Sequence, residues 1–139
     1  MKIKIIAVGK LKQPYINSGV KDYLERLKHY VPIEILEVSE KDIPKYLSPD
    51  NFNIVLNRIG KEVSSPEFAE LINKLLIKGN KDVIFFIGSA EGFDEKFIRR
   101  GDFVLSMSSF TFPHELARLI LLEQLYRAFT IIRNEKYHK

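Results

Sequence analysis

The chain of 139 residues contains no cysteine. Disulfides and thiolate metal centres are therefore excluded. Its three histidines, His29, His114 and His138, lie far apart and share no ligand spacing, so no metal site is expected. No apolar run approaches the roughly 18 residues that span a bilayer. The opening "MKIKIIAVGK" is too short and too charged for a signal peptide. The expectation is a cytoplasmic protein with no membrane partner. The spaced three-glycine dinucleotide fingerprint and the Walker lysine motif are both missing, which argues against a nicotinamide cofactor and a P-loop nucleotide site.

The length suits one domain, residues 1–139, with one core of ordinary size. Net charge is +4, which fits a polyanion partner and fits a mildly basic soluble protein about as well. The excess is uneven. Residues 1–30 carry seven Lys/Arg against two acids, and residues 127–139 carry Arg127, Arg133, Lys136 and Lys139 against Glu135 alone. If the two ends meet, they form one positive surface.

Five short apolar runs read as strands: 2–8, 33–38, 52–57, 82–88 and 102–108. The runs at 54–56 and 83–87 are nearly continuous, as in strands covered on both faces. Helical spacing marks residues 15–30 and 64–78. In the second, Ser65 is the expected cap, Pro66 the first helical position and Gly79 the stop. The alternation of strand and helix predicts an α/β fold with a mostly parallel sheet flanked by helices.

A final helix is expected from Thr111, as cap, to about residue 132. Apolar residues occur around most of its circumference, and a helix apolar on all sides is buried on all sides. A chain this small can hardly cover such a helix alone, so a two-fold homodimer is expected. Glu123, Arg127 and Thr130 share one stripe of that helix. Glu123 and Arg127 are spaced as an ion pair, which serves either structure alone or an arginine aimed at an anionic or polar substrate.

Three stretches end strands with chemistry-bearing residues: "IVLNRIGKEVSS" at 54–65, "FFIGSAEGF" at 85–93 and "LSMSSFTFPHE" at 105–115. Open α/β sheets bind ligands at the carboxyl ends of strands, so three such loops at one edge would make a pocket for a flat, partly polar ligand. Taken singly, each is also an ordinary turn or cap.

Those stretches, with "LARLILLEQLYRAFTIIR" and the terminal "YHK", resemble the ribosomal RNA large subunit methyltransferase H family, one of the knotted SPOUT methyltransferases. "MKIKIIAVGKLK" and "LNRIGKEVSSPEFA" are similar too, so the resemblance covers nearly the whole chain. It implies a deep carboxyl-terminal trefoil knot, a homodimer and S-adenosylmethionine as cofactor. It also implies a pseudouridine in a stem-loop of large-subunit (23S) ribosomal RNA as target, methylated at N3 on assembled ribosomes. By resemblance, the cofactor contacts are Leu56, Gly88, Met107, Ser108, Ser109, Phe110, Thr111 and Phe112. His114, Arg118, Glu123 and Arg127 fall on the matching final helix. Tyr137 and His138 match the family's terminal pair.

On this basis His138 is expected as base or orienter, Tyr137 as packing on the nucleotide, and Arg127 or Lys139 as stabilising negative charge. Arg133, Lys136, Lys139 and the amino-terminal lysines are expected to hold RNA phosphates. Four departures stand out, one of them Lys139, where relatives often carry arginine. Ser89 replaces a second glycine and would be strained at positive φ. Lys136 replaces a proline, leaving a tail that settles only when RNA arrives. The chain is also shorter than typical members around 40–53. Ser89 supports one competing reading, a non-catalytic RNA-binding or ribosome-assembly protein. A third reading, a nucleotide-binding α/β enzyme unrelated to RNA, is opposed by the basic termini.

Overall fold

A computed structural model describes residues 1–138. The elements run β1 (Ile3–Val8), α1 (Pro14–Leu27), β2 (Ile33–Val38), a 3₁₀ turn (Ile43–Tyr46) and β3 (Phe52–Glu62). There follow α2 (Ser65–Lys78), β4 (Val83–Ile87), α3 (Glu95–Arg99), β5 (Phe103–Ser106) and α4 (His114–Ile132). All the strands are parallel, in the order β2-β1-β4-β3-β5. The predicted α/β architecture is therefore observed.

The continuous apolar run of β4 has a direct cause. Alternate side chains point to opposite faces. Val83, Phe85 and Ile87 enter the core under α1, α2 and α4, while Ile84 and Phe86 enter the smaller core under α3 and the 3₁₀ turn. A strand covered on both faces has no solvent side to keep polar. Helix α4 lies on the larger core between α1 and α2, burying Leu121, Leu122, Leu125, Ala128 and Phe129. Gly19 lets α1 approach it: a Cβ there would meet Leu119 Cδ1 at 2.9 Å.

Several local expectations are corrected. The cap of α2 is Ser64, whose hydroxyl accepts from Glu67 N while Glu67 Oε1 accepts from Ser64 N. Ser65 is instead the first helical residue, with Pro66 second. Gly79 does end the helix, at φ 61°. Thr111 does not cap α4. Pro113 occupies the cap position in extended conformation, and Thr111 Oγ1 accepts from Arg58 Nη1 at 3.3 Å.

Strand β3 is longer than residues 52–57. Leu105 stands opposite Leu56 and again opposite Lys61, so residues 57–60 swing out from the ladder and return to it. Gly60 makes the return possible, because a Cβ there would lie 2.6 Å from the Val104 carbonyl oxygen.

Candidate active site

Parallel strands put every carboxyl end at one edge of the sheet. At the ends of β3, β4 and β5 lies a cleft of about 350 Å³. The β3 excursion forms one wall through Leu56, Asn57, Arg58 and Ile59. The turn 88–92 forms the floor, and residues 107–112 with His114 and Ala117 of α4 close the other side. Seven of the eight expected cofactor contacts line it: Leu56, Gly88, Met107, Ser108, Phe110, Thr111 and Phe112. The eighth, Ser109, turns away, and its hydroxyl donates to Glu62 Oε1 at 2.7 Å. Together with Arg58–Thr111, that bond ties the β3 excursion to the loop before α4.

Ser89 is unstrained, because Asn134 is the only non-glycine at positive φ among the described residues. Its hydroxyl donates to Glu40 Oε1 at 3.3 Å. Gly92, at φ 75°, provides the left-handed turn. The one sequence feature favouring a non-catalytic protein thus loses its physical basis.

The tail forms a second centre. Asn134 adopts φ 55°; Asn134 N donates to the Ile131 carbonyl and Glu135 N to the Thr130 carbonyl. This Schellman turn ends α4 and reverses the chain. Tyr30 Oη donates to the Glu135 carboxylate at 3.0 Å and holds the turn. Tyr137 then folds back onto α4. Its hydroxyl donates to Glu123 Oε2 at 2.9 Å, lies 3.1 Å from Tyr23 Oη, and its ring meets Tyr126 edge-on. Glu123 Oε2 also accepts from Arg127 Nη2 at 2.6 Å, and the Arg127 guanidinium sits 5.0 Å from the Tyr137 ring centre. Arg127 Nη1 lies 3.3 Å from His138 Nδ1. Lys136 is exposed, Arg133 lies over the Tyr30 ring, and Lys139 falls outside the described residues. The tail is therefore docked through His138 in the free chain despite the lysine at 136.

The expected Glu123–Arg127 pair is observed, and Glu123 raises the Arg127 guanidinium above its ordinary value. Burial, then hydrogen bonds to Tyr23 and Glu123, raise the Tyr137 phenol above the usual tyrosine range. A folded pKa above the unfolded value, about 10, stabilises the docked tail fully below that pH. The stability is lost as pH rises through the folded value. Protection of the tail from carboxypeptidase should be flat from neutral pH to about 9 and fall only at stronger alkali. A loss between neutrality and about pH 9 would contradict this assignment.

Several positioning residues escaped the sequence reading. Tyr23, Tyr30 and Glu135 act across more than a hundred residues of chain. Asn134 carried a readable signal, an asparagine just past the last apolar helical residue. Arg118, expected on the final helix, is 1% exposed and bonds Glu37 and the Gly9 carbonyl beside the sheet edge.

An α/β sheet with a cleft at its strand ends places the chain among the open-sheet proteins that hold a small ligand over the sheet edge. The sequence model of the family described as "Predicted SPOUT methyltransferase" matches residues 1–138, and the chain belongs to that family. It is a methyltransferase and works with a methyl donor. A protein of Coprothermobacter proteolyticus named ribosomal RNA large subunit methyltransferase H is 52% identical over the full length of both chains, 139 residues. Proteins of that name from Halothermothrix orenii and Carboxydothermus hydrogenoformans are 42% and 40% identical over 100% of each chain. The short 40–53 region is thus matched by a relative aligned end to end over 139 residues. The crystal structure of a probable methyltransferase from Bordetella pertussis superposes with TM-score 0.66 at 11% identity, covering 91% of this chain and 93% of that one. A probable methylase family protein from Haemophilus influenzae gives 0.60 at 14% identity, covering 99% and 70%. At those identities the likeness concerns the fold alone.

Proposed function

We propose that the chain uses S-adenosylmethionine to methylate large-subunit ribosomal RNA, at N3 of a stem-loop pseudouridine on the assembled ribosome. The strand-end cleft carries this reading, in a chain whose full-length relatives are named for that RNA. The chain acts in the cytoplasm as one domain, residues 1–139, with its carboxyl-terminal segment threaded as a trefoil knot.

The cleft fits the cofactor. Its volume lies at the small end of the roughly 300–1,000 Å³ range for such sites. Leu56, Met107 and Phe112 offer apolar walls for a flat base, and Ser108 and Thr111 add hydroxyls. Gly88 lines the cleft and is confined from behind, where a Cβ would meet Phe93 at 3.2 Å. Glu91 is the one carboxylate among the lining residues, suited to a cationic ligand. S-adenosylmethionine, when bound, supplies a methyl group already activated as a sulfonium.

What remains for the protein is alignment, exclusion of water and the fate of the N3 proton. That proton lies between two carbonyls and is weakly acidic, so a fixed cation favours its loss to water. Arg127 is that cation. Arg127 Nη1 faces His138 Nδ1 and holds the ring against the guanidinium. His138 so held orients the base by donating from Nε2 to a uracil carbonyl, in preference to removing the proton. Tyr137 packs on the nucleotide, and Arg133, Lys136 and Lys139 take phosphates. His138→Gln, which keeps a donor and loses the base, should retain far more activity than His138→Ala. Equal loss in both would favour a base.

The tail serves a partner's cleft. Ala117 lines the cleft and Arg127 holds His138, ten residues along α4, or about 15 Å at the helical rise. Leu116, Ile120, Glu123 and Arg127 form a half-exposed stripe of α4 between α1 and α2. Two copies meeting there about a two-fold axis would run their α4 helices antiparallel, setting each tail beside the other's cleft. Transfer of labelled methyl to ribosomes from cells lacking the modification tests the function; no transfer would refute it.

A further inference from the structure

The loop between β1 and α1, residues 9–13, lies outside the cleft and the tail. It is unusually well tethered for an exposed loop. Lys12 N and Gln13 N both donate to Glu115 Oε1, at 2.8 and 3.1 Å. Leu11 N donates to Glu37 Oε2 at 3.1 Å. The Gly9 carbonyl accepts from Arg118 Nη2 at 3.2 Å, and Arg118 Nη1 donates to Glu37 Oε2 at 2.7 Å. A buried arginine and two glutamates thus hold the backbone at four of the five residues 9–13.

The tethers leave a particular surface free. Glu37 and Glu115, the two acids that tether the loop, are occupied by N–H donors. Lys10 and Lys12 are exposed, and among the described residues neither ammonium meets a carboxylate. Tyr15, one of the chain's most exposed aromatics, is 69% accessible and follows them directly.

The loop also borders the cleft. Ala7 of β1 stands opposite Ile87 of β4, so the chain leaves β1 about 4.8 Å, one strand spacing, from the Gly88 turn. Its anchor Glu115 follows His114, which lines the cleft.

From this juxtaposition we propose that residues 10–15 form a preformed RNA lip on the cleft, with Lys10 and Lys12 on phosphates flanking the target and Tyr15 stacked on a neighbouring unpaired base. The inference rests on the RNA reading above and locates where on the chain the stem-loop docks. Cations close to an exposed aromatic suit single-stranded nucleic acid, because phosphates repeat along the strand and every base has a stacking face. A fixed loop also spends little ordering entropy on binding.

The test compares Tyr15→Ala, Tyr15→Phe and the double variant Lys10→Gln/Lys12→Gln with the unaltered protein in the full chain. Ribosomes lacking the modification serve as substrate, and S-adenosylmethionine binding is followed by calorimetry. Tyr15→Ala should raise KM for ribosomes about tenfold, Tyr15→Phe should restore it, and the lysine variant should lower the salt slope of ribosome binding by about two. Cofactor affinity and kcat should stay within about twofold in all three. Wild-type values of KM and salt slope would overturn the lip while leaving the function intact. Absence of methyl transfer by the unaltered protein would overturn the function itself. A monomeric Tyr15→Ala beside a dimeric wild type would assign Tyr15 to the interface between copies, and would also overturn the lip.

Discussion

A chain ending at Lys136 is expected to bind S-adenosylmethionine as tightly as the full chain and to lose methyl transfer by at least a hundredfold. The cleft contains no tail residue, so its walls survive the truncation. What disappears is the Tyr137 ring and the His138 imidazole, together with the tether that joins them to Glu123 and Arg127. Misplacing the reacting groups by about 1 Å costs on the order of 10²-fold in rate. His138→Ala should reproduce most of the loss. The two measurements are calorimetry for the cofactor and labelled-methyl transfer for the reaction. Full activity in the truncated chain would remove Tyr137 and His138 from the mechanism.

The second large effect lies in the β3 excursion. Gly60→Ala places a Cβ 2.6 Å from the Val104 carbonyl oxygen and 2.7 Å from its carbon. Those are backbone atoms of β5 and cannot swing aside. Either β5 shifts or residues 57–60 lift from the ladder, and both distort the wall carrying Leu56 and Arg58. Overpacking of this kind costs about 1–3 kcal/mol. Tm should fall by several degrees and cofactor affinity by more than tenfold. Gly19→Ala makes a useful contrast, because its nearest neighbour, Leu119 Cδ1 at 2.9 Å, is the end of a side chain that can change rotamer. Its cost should be smaller, with cofactor affinity unchanged. Equal effects in the two variants would contradict the role given to the excursion.

The contrast between these glycines marks the limit of what the sequence displays. Periodicity exposes elements whose cause is local. The unbroken apolar run of β4 follows from its two covered faces, and α2 announces itself through Ser64, Glu67 and Gly79. Even there the pattern points to Ser65 where Ser64 is the cap, because adjacent serines look alike until the hydroxyl geometry is known. Gly60 reads as an ordinary turn glycine until β5 is laid beside it.

The site divides in the same way. The cleft residues were legible because all three loops follow strands, and parallel strands bring such loops to one edge. The tail was legible only by resemblance. Its latch is built from Tyr23 on α1, Glu123 on α4 and Tyr137 beyond the Schellman turn. No local pattern joins residues 114 positions apart. The lysine at 136 suggested a loose tail, but the docking comes from Tyr137 and Glu135, so the residue between them has little influence. The two basic ends do meet, with Tyr137 Oη 3.1 Å from Tyr23 Oη and Arg133 over the Tyr30 ring.

On the proposed function, one copy's cleft and another copy's tail together complete the site for methyl transfer. Mixed dimers test it most directly. One partner ends at Lys136 and keeps its cleft; the other keeps its tail and carries a bulky change at a lining residue, such as Ser108→Trp, verified by calorimetry to bind no cofactor. Each is inactive alone. Co-expressed with different tags and randomly paired, they should recover about one quarter of wild-type methyl transfer, since half the dimers would hold one intact composite site of two. If the mixture stays as inactive as its components, the tail does not serve the partner's cleft.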